Sequence, residues 1–482
     1  MPPIIATFIY AAGIAGLYLL DRDRQAHTSR ALWIPLVWMA IACSRPVSQW
    51  AAAFGWTDAS WAMDSPEKYL DGSPLDRALL TILLGLAVLV LVRRGARAWI
   101  LLRANWPILL FFTYCAVSVF WSDYSGVAFK RWIKAVGNLA IVLVILTEKD
   151  RYAAIKRLLA WTAFLMVPLS VLFVKYYPEL GRGYNRWTWQ AYFTGVTTNK
   201  NELGTMCLIL GLASVWRFAE EWQRGKLTWR NRPLVAQGTI LVMVVWLLWK
   251  ADSMTSVSCM LMGTLLIAAT HLRRVLRRPR LVHGLVLAMI GMSLFAIFFD
   301  PSGSLVGTLG RNLTLTGRTE LWHIVLAASG NPLIGTGFES FWLGQRLEHL
   351  WSLYWWRPNE AHNGYLEIYL TLGWIGVALM AVWVVTGYKN AFVMFRRVHR
   401  VGRLLLAFFL VAVVYNLTEA AFKGTDPVWL IFVLATVALP RTRAATSRPG
   451  AQVVEAVTPD EPQSEAAQPA WVALSRGTVH GL

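Results

Sequence analysis

Apolar segments long enough to cross a bilayer recur along the whole length of this chain. About 17–25 helical residues cross the hydrocarbon core, and roughly thirteen such segments are present. They are 4–20, 31–48, 75–92, 105–121, 132–147, 152–174, 202–218, 234–249, 254–271, 281–299, 365–388, 404–421 and 426–440. Because 56% of the 482 residues are hydrophobic and only 15% are charged, a soluble domain could not cover its core with polar surface. The sequence therefore predicts an all-α polytopic membrane protein with about 12–14 transmembrane helices.

The formal net charge of +19 is concentrated in short segments between the apolar runs. Arg93, Arg94 and Arg97 form one such group, and Lys149 and Arg151 belong to another. Lysine and arginine in short loops mark the cytoplasmic side, so their alternation predicts an outer N-terminus and an inner C-terminus. Anionic membrane lipids are suitable counter-ions, and nucleic acid is not needed to explain the charge.

The order of these segments divides the chain into four parts. Residues 1–299 contain about ten spans, and residues 300–364 form one large external loop. Residues 365–440 form the C-terminal transmembrane helices. Residues 441–482 are rich in Ala, Pro, Glu and Ser and lack periodicity, which predicts a disordered cytoplasmic tail.

The large external loop ends in the sequence Pro-Asn-Glu-Ala-His-Asn-Gly-Tyr-Leu-Glu, residues 358–367, which leads directly into an apolar run. His362 and Asn363 therefore lie where water meets the membrane. A histidine titrates near neutral pH and can accept a proton from a sugar hydroxyl. Alternatively, this is a capping turn in which Asn363 satisfies helix N–H groups and His362 has no chemical function.

The same loop contains Leu-Thr-Gly-Arg-Thr-Glu-Leu-Trp, residues 315–322, which is typical of a turn entering a helix. An arginine in a first helical turn opposes the helix dipole, so Arg318 is poorly placed for stability alone. Near exposed N–H groups it would help to bind a phosphate. The alternative is a solvated surface arginine.

Further ionisable and polar residues are predicted at the same level of the membrane. Charge at bilayer depth is costly and tends to be functional, although lysine can also extend to the interface. A diphosphate would require cations from several helices. These candidates are Arg131, Lys134, Lys200, Asn201, Lys250 and Glu419.

No metal motif is found in the sequence. The four cysteines are widely spaced in apolar runs, without a Cys-x-x-Cys or Cys/His pairing. The external segment 45–75 contains acidic residues but no adjacent acidic pair; they are Asp58, Asp64, Glu67 and Asp71. We therefore expect chemistry without a metal or another cofactor.

Several of these motifs together resemble the O-antigen ligase and Wzy-type polysaccharide polymerase superfamily, most closely its exopolysaccharide-polymerase-like members. The resemblance rests on Trp-Ser-Asp-Tyr-Ser (121–125) leading to Arg131, on Asn-Lys-Asn-Glu-Leu-Gly (199–204), and on the arginine motif at 315–322. It continues with Asn-Pro-Leu-Ile-Gly-Thr-Gly (331–337), Ala-His-Asn-Gly-Tyr-Leu (361–366) and Gly-Trp-Ile-Gly (373–376).

The resemblance implies a bacterial inner-membrane glycosyltransferase of GT-C-like architecture, with the large loop in the periplasm. It implies metal-independent, inverting transfer of a glycan from undecaprenyl diphosphate to a glycan or a lipid A core, with chain-length regulator proteins as further partners. His362 would be the base on the acceptor hydroxyl, or would orient it, and Glu419 would orient a basic partner. The cations Arg318, Arg131 and Lys200 would bind the leaving diphosphate. Relatives commonly carry a basic residue where Met254 stands, and Lys250 would have to replace it.

Two other functions are compatible with a multi-pass membrane protein. One is a transporter or flippase of lipid-linked oligosaccharides, which would show interrupted spans with polar groups at the membrane midplane. The other is a non-catalytic assembly factor, in which His362 and Arg318 would be replaceable. The predicted gathering of polar groups at the outer ends of the spans favours the transferase.

Overall fold

The computed structural model describes residues 1–22, 28–56, 70, 72–184, 189–223, 231–298 and 315–439. The predicted tail 441–482 and the four external acidic residues between 58 and 71 lie outside this described part. The described chain is almost entirely helical, which confirms the predicted all-α multi-pass membrane protein.

Helices of the first half are numbered in chain order. They are α1 (Pro3–Leu20), α2 (Trp33–Ala42), α3 (Val47–Ala53), α4 (Pro74–Arg93), α5 (Gly95–Ala104), α6 (Trp106–Val117), α7 (Ser125–Leu146), α8 (Arg151–Tyr176) and the single turn α9 (Pro178–Gly181). Short 3-10 turns at Arg30–Leu32 and Ser118–Trp121 flank α2 and α6. Strands β1 (Arg182–Tyr184) and β2 (Ala191–Phe193) then form a small antiparallel hairpin, with Gly183 opposite Tyr192.

The second half continues the same arrangement. Its helices are α10 (Lys200–Gln223), α11 (Arg232–Ala251), α12 (Met254–His271), α13 (Arg273–Arg277), α14 (Pro279–Phe298), α15 (Leu315–Ala327), α16 (Gly344–Leu353), α17 (Gly364–Arg397), α18 (His399–Tyr415) and α19 (Pro427–Thr436). Two of them, α15 and α16, lie within the segment predicted as the large external loop.

Each predicted apolar segment contains a helix or a bent pair of helices within its described residues, although the helix in 404–421 already ends at Tyr415 and the one in 426–440 at Thr436. Within the described residues, 8 helices are long and apolar enough to cross a membrane, and the number is up to 10 if each bent pair counts as one span. The bent pairs are α2 with α3, at 64°, and α5 with α6, at 86°. The remaining segments form α7, whose first turns carry three cations, and the shorter helices α18 and α19.

The core of the bundle is formed by helices that are buried on every side. All residues of α18 from Val401 to Tyr415 are buried, and so are all ten residues of α19. Around them pack α10, α12 and α17. By contrast, α1 and α4 bury only about a tenth of their apolar windows, so their surfaces are left for lipid.

The chain passes back and forth between two ends of the bundle. At the first, which we call the basic end, Arg94 after α4 pairs with Glu148 after α7. Also there, the Nη2 atom of Arg217 lies 2.7 Å from Oδ1 of Asp21, and both side chains are buried. At the opposite end, α7, α10, α12 and α17 begin and α18 ends. This alternation agrees with the predicted order of basic and basic-poor loops, and the side of the membrane that each end faces stays a prediction.

A half-buried arginine at the opposite end holds the hairpin segment in place. Arg45 lies at the bend between α2 and α3, and its Nε atom donates to the carbonyl of Thr197 at 2.9 Å. Its Nη2 atom donates to the hydroxyl of Thr194 at 3.0 Å and to the carbonyl of Leu180. These bonds fix the chain that leads into α10, at Lys200.

Helix α17 is not continuous, although an unbroken span was predicted at 365–388. Gly373 has φ 64° and ψ −166°, which separates a short first segment from the long remainder. Beyond the break, the N–H of Trp374 donates to the carbonyl of Pro332 at 2.9 Å. Before it, the N–H of Thr336 donates to the carbonyl of Leu370 at 3.1 Å. The Asn-Pro-Leu-Ile-Gly-Thr-Gly segment therefore satisfies backbone groups that the break would leave open.

Replacing Gly373 by alanine should destabilise the protein. A Cβ atom there would lie 2.3 Å from the backbone of Leu333, and the backbone conformation of Gly373, which is nearly restricted to glycine, costs another residue about 1–3 kcal/mol. We expect a lower midpoint of thermal unfolding in detergent. The control is Gly85→Ala in α4, where a Cβ atom would meet nothing within 4 Å. Equal midpoints for the two variants would contradict the interpretation of the break.

Candidate active site

His362 is held in an unusual backbone conformation just before α17. Its φ of 50° is uncommon for a residue with a Cβ atom, and such positions concentrate at functional sites. The preceding residue, Ala361, is fixed on both sides. Its N–H donates to Oε1 of Glu367 at 2.6 Å, and its carbonyl accepts from Nε1 of Trp322 at 2.8 Å. The strained turn is thus held by the residues around it.

A small apolar cluster supports this turn from the side of α15 and α16. Its buried members are Leu321, Val325, Phe341, Trp342, Leu347, Leu350, Ala361 and Leu370. Within it, Nε1 of Trp342 lies 2.9 Å from both carboxylate oxygens of Glu367. Burial of these side chains joins the two loop helices to the first turns of α17.

Five charged side chains of alternating sign form what we call the charge cluster. The Nδ1 atom of His362 lies 3.1 Å from Oε1 of Glu360 and 3.1 Å from Oε2 of Glu419. Oε1 of Glu419 lies 3.5 Å from Nη2 of Arg318, and Glu360 pairs with Lys423. Since a ring nitrogen carries one hydrogen, two carboxylates compete for the same N–H.

The electrostatics of the cluster favour the protonated imidazole. Burial lowers the pKa of His362, but hydrogen bonds and charges from Glu360 and Glu419 outweigh it and raise the pKa to about 9. Burial raises the pKa of Glu360, but Lys423 and His362 bring it well below its usual range. For Lys423, burial lowers the pKa, whereas the carboxylate of Glu360 raises it above its usual range. Each charge is therefore maintained by its neighbours.

Three sequence-predicted catalytic residues meet in this cluster. Arg318 lies in the first turns of α15, and its Nη1 atom donates to the carbonyl of Thr418 at 2.6 Å. This bond places the guanidinium beside the carboxylate of Glu419, which the imidazole of His362 contacts from the other side. Residues distant in the chain are thereby brought together at the end of the bundle that lies opposite the basic end.

The predicted binding residue Asn363 forms the N-cap of α17. Its Oδ1 atom accepts from the N–H groups of Tyr365 and Leu366, each at 3.0 Å. Its Nδ2 atom donates to the carbonyl of Leu417 at 3.2 Å. The whole side chain is thus engaged in capping α17 and in joining it to the turn after α18, and a contact with substrate stays a prediction.

Arg131 and Lys134 lie beside the charge cluster and are linked to it through Glu339. The guanidinium of Arg131 donates to the backbone carbonyl of Glu339. Lys134 is close enough to Glu339 and Arg131 to interact with their charges. Oε1 of Glu339 accepts from the N–H of Gly424 at 2.9 Å, and Gly424 follows Lys423 directly. Glu339, like His362, has left-handed backbone, with φ 49°.

Lys200 and Asn201 lie in the first turn of α10, at the same end of the bundle. The Nζ atom of Lys200 lies 3.6 Å from Oδ2 of Asp252, in the turn between α11 and α12. Asn201 is half-buried, and its carbonyl accepts from the hydroxyl of Thr205. That hydroxyl also lies 2.6 Å from the hydroxyl of Tyr415, the last residue of α18. Asn201 is therefore linked through Thr205 to the end of α18, four residues before Glu419, and Lys200 is linked to the turn between α11 and α12.

The ammonium group of Lys250 lies against aromatic rings. Its Nζ atom lies 4.1 Å from the ring centroid of Trp249 and 5.2 Å from that of Phe193, which are cation–π distances. Its predicted substitution for the basic residue missing at Met254 stays a prediction.

Sequence reasoning did not assign three residues that the structure brings into the site. They are Glu360, Lys423 and Glu339. Glu360 lies two residues before His362, and that proximity was an available signal. Lys423 was expected at the same level of the membrane as Glu419, but its partner Glu360 is distant in sequence. The partners of Glu339 are also distant, so no local pattern could indicate a role for either residue.

The two carboxylates and the imidazole also have the composition of a metal site. The ligand atoms of Glu360, His362 and Glu419 all lie within 4.8 Å of one another. However, Arg318 and Lys423 already neutralise these carboxylates, and the raised pKa of His362 keeps a proton on the imidazole. A divalent ion would have to displace both cations and that proton. The residues therefore fit a metal poorly.

The fold and the charge cluster define a class of protein: a multi-pass helical membrane protein with a histidine held between carboxylates at one end of its bundle. No protein-family model matches the chain. Over 296 residues it is 25% identical to the exopolysaccharide production protein ExoQ of Rhizobium meliloti (strain 1021), which covers 58% of this chain and 64% of that relative. The match thus spans less than two thirds of the relative's length. This similarity supports the predicted resemblance to the O-antigen ligase and Wzy-type polysaccharide polymerase superfamily.

The pKa of His362 can be measured directly. In protein labelled with 15N-histidine and assigned with His362→Gln, we expect the ring to titrate near pH 9. Because the imidazolium is stabilised in the folded state, its contribution to stability is present below about pH 6.5 and is lost as the pH rises through about 9.

Glu360→Gln and Glu419→Gln should each lower that pKa, since each removes one negative charge beside the ring. Glu348→Gln, an exposed residue of α16, serves as the matched control and should leave it unchanged. A wild-type pKa near 6.5, or equal values in all variants, would contradict the described cluster.

Proposed function

We propose that this protein is a metal-independent glycosyltransferase of surface polysaccharide production, which transfers a glycan from undecaprenyl diphosphate to an acceptor hydroxyl. The observation that carries this proposal is the imidazole of His362, held at Nδ1 by two carboxylates and flanked by cations. The similarity to ExoQ, an exopolysaccharide production protein, supports a function in the same process.

The orientation of His362 suits it to act as a general base. With its Nδ1 hydrogen directed at Glu360 and Glu419, the lone pair of the neutral ring is at Nε2. In the proposed reaction Nε2 accepts the proton of the acceptor hydroxyl while the oxygen attacks the anomeric carbon of the donor. The imidazolium that forms is stabilised by the same two carboxylates, as in other histidine–carboxylate pairs.

The leaving group requires fixed positive charge. As the bond from the anomeric carbon to the phosphate oxygen breaks, its electron pair stays on the diphosphate, and the sugar carbon is inverted. Arg318, Lys423 and Arg131 come from three different parts of the chain and lie along one continuous set of contacts. Cations fixed before the reaction stabilise developing charge without reorganisation, and they act more strongly in a water-poor site.

The proposed enzyme works at the periplasmic face of a bacterial inner membrane, where a lipid-linked donor and a carbohydrate acceptor can meet. The acceptor is either a second lipid-linked glycan, giving a polymer, or a lipid A core or another surface molecule, giving a single ligation. Product length distinguishes the two.

A transporter of lipid-linked oligosaccharides is the second candidate, and one observation favours it. Two helix pairs are bent by 64° and 86°, and interrupted helices are typical of transport sites. The break between α5 and α6 is closed, however, because the side chain of Asn105 bonds backbone groups of Leu101 and Ala438. A bond network of this kind leaves little of the break available to a substrate.

Purified protein given an undecaprenyl-diphosphate glycan and candidate acceptors should release undecaprenyl diphosphate and form a longer glycan. His362→Ala and Arg318→Ala should lower kcat/KM by about 100-fold or more, since each removes a base or a charge stabiliser. The matched controls are His349→Ala and Arg274→Ala, both exposed, which should keep full activity. Full activity of the site variants, or flipping of the donor without transfer, would refute the transferase.

Transfer should continue in the presence of a chelator. The cations of the charge cluster supply the positive charge for which other glycosyltransferases use a divalent ion. Loss of activity with EDTA, restored by added Mg²⁺ or Mn²⁺, would instead assign Glu360, His362 and Glu419 to a metal.

The pH dependence of kcat/KM should follow His362. Only the neutral ring accepts a proton, so below pH 9 the rate should fall about tenfold per pH unit. Glu360→Gln should move this break to lower pH, because the imidazole loses one of its two carboxylate partners. A wild-type break near pH 6.5 would contradict the proposed base.

A further inference from the structure

We infer that Glu367 is a positioning residue of the proposed reaction, which holds the imidazole of His362 beside its carboxylates by fixing the peptide that precedes it. This inference rests on the proposed function, and it assigns a role to a carboxylate that the proposed mechanism does not use. Glu367 lies in the first turn of α17, on the C-terminal side of His362. It acts through hydrogen bonds to the backbone and not through the ring itself.

A glutamate near the start of a helix ordinarily stabilises the end of that helix. In a capping box it reaches back to the N–H of the N-cap residue, which here is Asn363. Glu367 reaches two residues further back, past His362, and its Oε1 atom accepts from the N–H of Ala361 at 2.6 Å. The side chain of Asn363 already caps the first N–H groups of α17. The bond from Ala361 therefore closes the turn that contains His362.

The backbone of Ala361 is held from both sides by Glu367 and Trp322, and we call these three residues the Ala361 clamp. The Nε1 atom of Trp322 donates to the carbonyl of Ala361 at 2.8 Å. The carboxylate of Glu367 is itself fixed, because Nε1 of Trp342 lies 2.9 Å from both of its oxygens. Ala361 is fully buried, so a bond that is lost there leaves a polar group without a partner.

The clamp fixes the direction of the imidazole because the chain on the other side of His362 is fixed as well. The N–H of Gly364 donates to the carbonyls of Asn416 at 2.9 Å and Glu419 at 3.1 Å. His362 thus joins two anchored segments, and its φ of 50° is the conformation that the anchors impose. With Ala361 released, the residue would return to the ordinary negative φ, and the ring would turn away from the carboxylate of Glu419.

The clamp also sets the imidazole and the guanidinium of the site in register. Arg318 and Trp322 are four residues apart on α15, so they lie on the same face of that helix. Trp322 donates to the carbonyl that precedes His362. Arg318 contacts the carboxylate of Glu419, which the imidazole also contacts. One face of α15 therefore positions both the proposed base and a proposed charge stabiliser.

The variant Trp322→Phe tests the clamp without changing any charge. The phenyl ring keeps the place of the indole beside the apolar cluster, while the Nε1 donor to Ala361 is lost. We expect kcat for glycan transfer to fall by about tenfold or more, with the KM of the donor nearly unchanged, because the clamp orients the base and does not bind the donor. In 15N-histidine spectra, which do not depend on catalysis, the pKa of His362 should fall from about 9 towards 6.5 as the ring leaves its carboxylates.

Two variants of Glu367 separate its hydrogen bond from its charge. The charge of Glu367 also acts on Lys423, so the two contributions have to be measured apart. Glutamine retains an oxygen that accepts from the N–H of Ala361, whereas alanine retains no acceptor. We expect Glu367→Gln to keep most of the wild-type kcat and Glu367→Ala to lower kcat by about 100-fold.

The matched control is Trp216→Phe at the basic end, where Nε1 of a buried Trp216 also donates to a backbone carbonyl, that of Arg400, at 2.7 Å. This variant should lower the midpoint of thermal unfolding and leave kcat and the pKa of His362 unchanged. The inference is overturned if Trp322→Phe behaves like this control, or if Glu367→Gln loses as much activity as Glu367→Ala. If the pKa of His362 falls as expected but the wild type transfers no glycan, the proposed function fails while the clamp on the imidazole stands.

Discussion

One imidazole nitrogen held between two carboxylates is the interaction on which the arrangement of this end of the bundle depends. The Nδ1 atom of His362 has equal distances to Glu360 and Glu419, and each carboxylate is in turn paired with a cation. Five charges of alternating sign are therefore balanced locally. Removing any one member leaves a partly desolvated charge without its partner, which is costly in a water-poor environment.

This balance requires that distant parts of the chain meet. Arg318 begins α15, the imidazole precedes α17, and Glu419 follows α18. The backbone itself ties the last two together, because the N–H of Gly364 donates to the carbonyls of Asn416 and Glu419. The apolar cluster joins α15, which carries Arg318, to the residues around His362. The site therefore exists only when the loop helices have packed onto the completed bundle.

How much of this could be predicted from sequence depends on whether a property is local. The helices could be predicted because the length and hydrophobicity of an apolar segment are properties of one continuous stretch of sequence. The motifs around Arg318 and His362 indicated a shared site, and these residues do lie together. The pairing of Lys423 with Glu360 depends on a long-range contact, so composition and spacing could not reveal it.

The break in α17 is another feature that could not be predicted from the sequence. A glycine in an apolar run is compatible with a continuous helix, and only the backbone of Leu333, reached through the fold, requires the break. Lys250 is a further example. Its charge at the expected depth suggested phosphate binding, which stays a prediction. The ring of Phe193 from the β-hairpin, 5.2 Å from its ammonium group, is a long-range contact that the sequence could not reveal.

The break at Gly373 has a mechanical consequence for a protein in a bilayer. The 34 residues of α17 would form a rod of roughly 50 Å, longer than the hydrocarbon core is thick. A continuous rod transmits any change of tilt, such as one imposed by a thicker or thinner membrane, to both of its ends. Because the rod is divided at Gly373, its two pieces need not share one axis. The segment 331–337 bonds to both of them, through Thr336 before the break and through Pro332 beyond it, so the angle at the break is fixed by the fold.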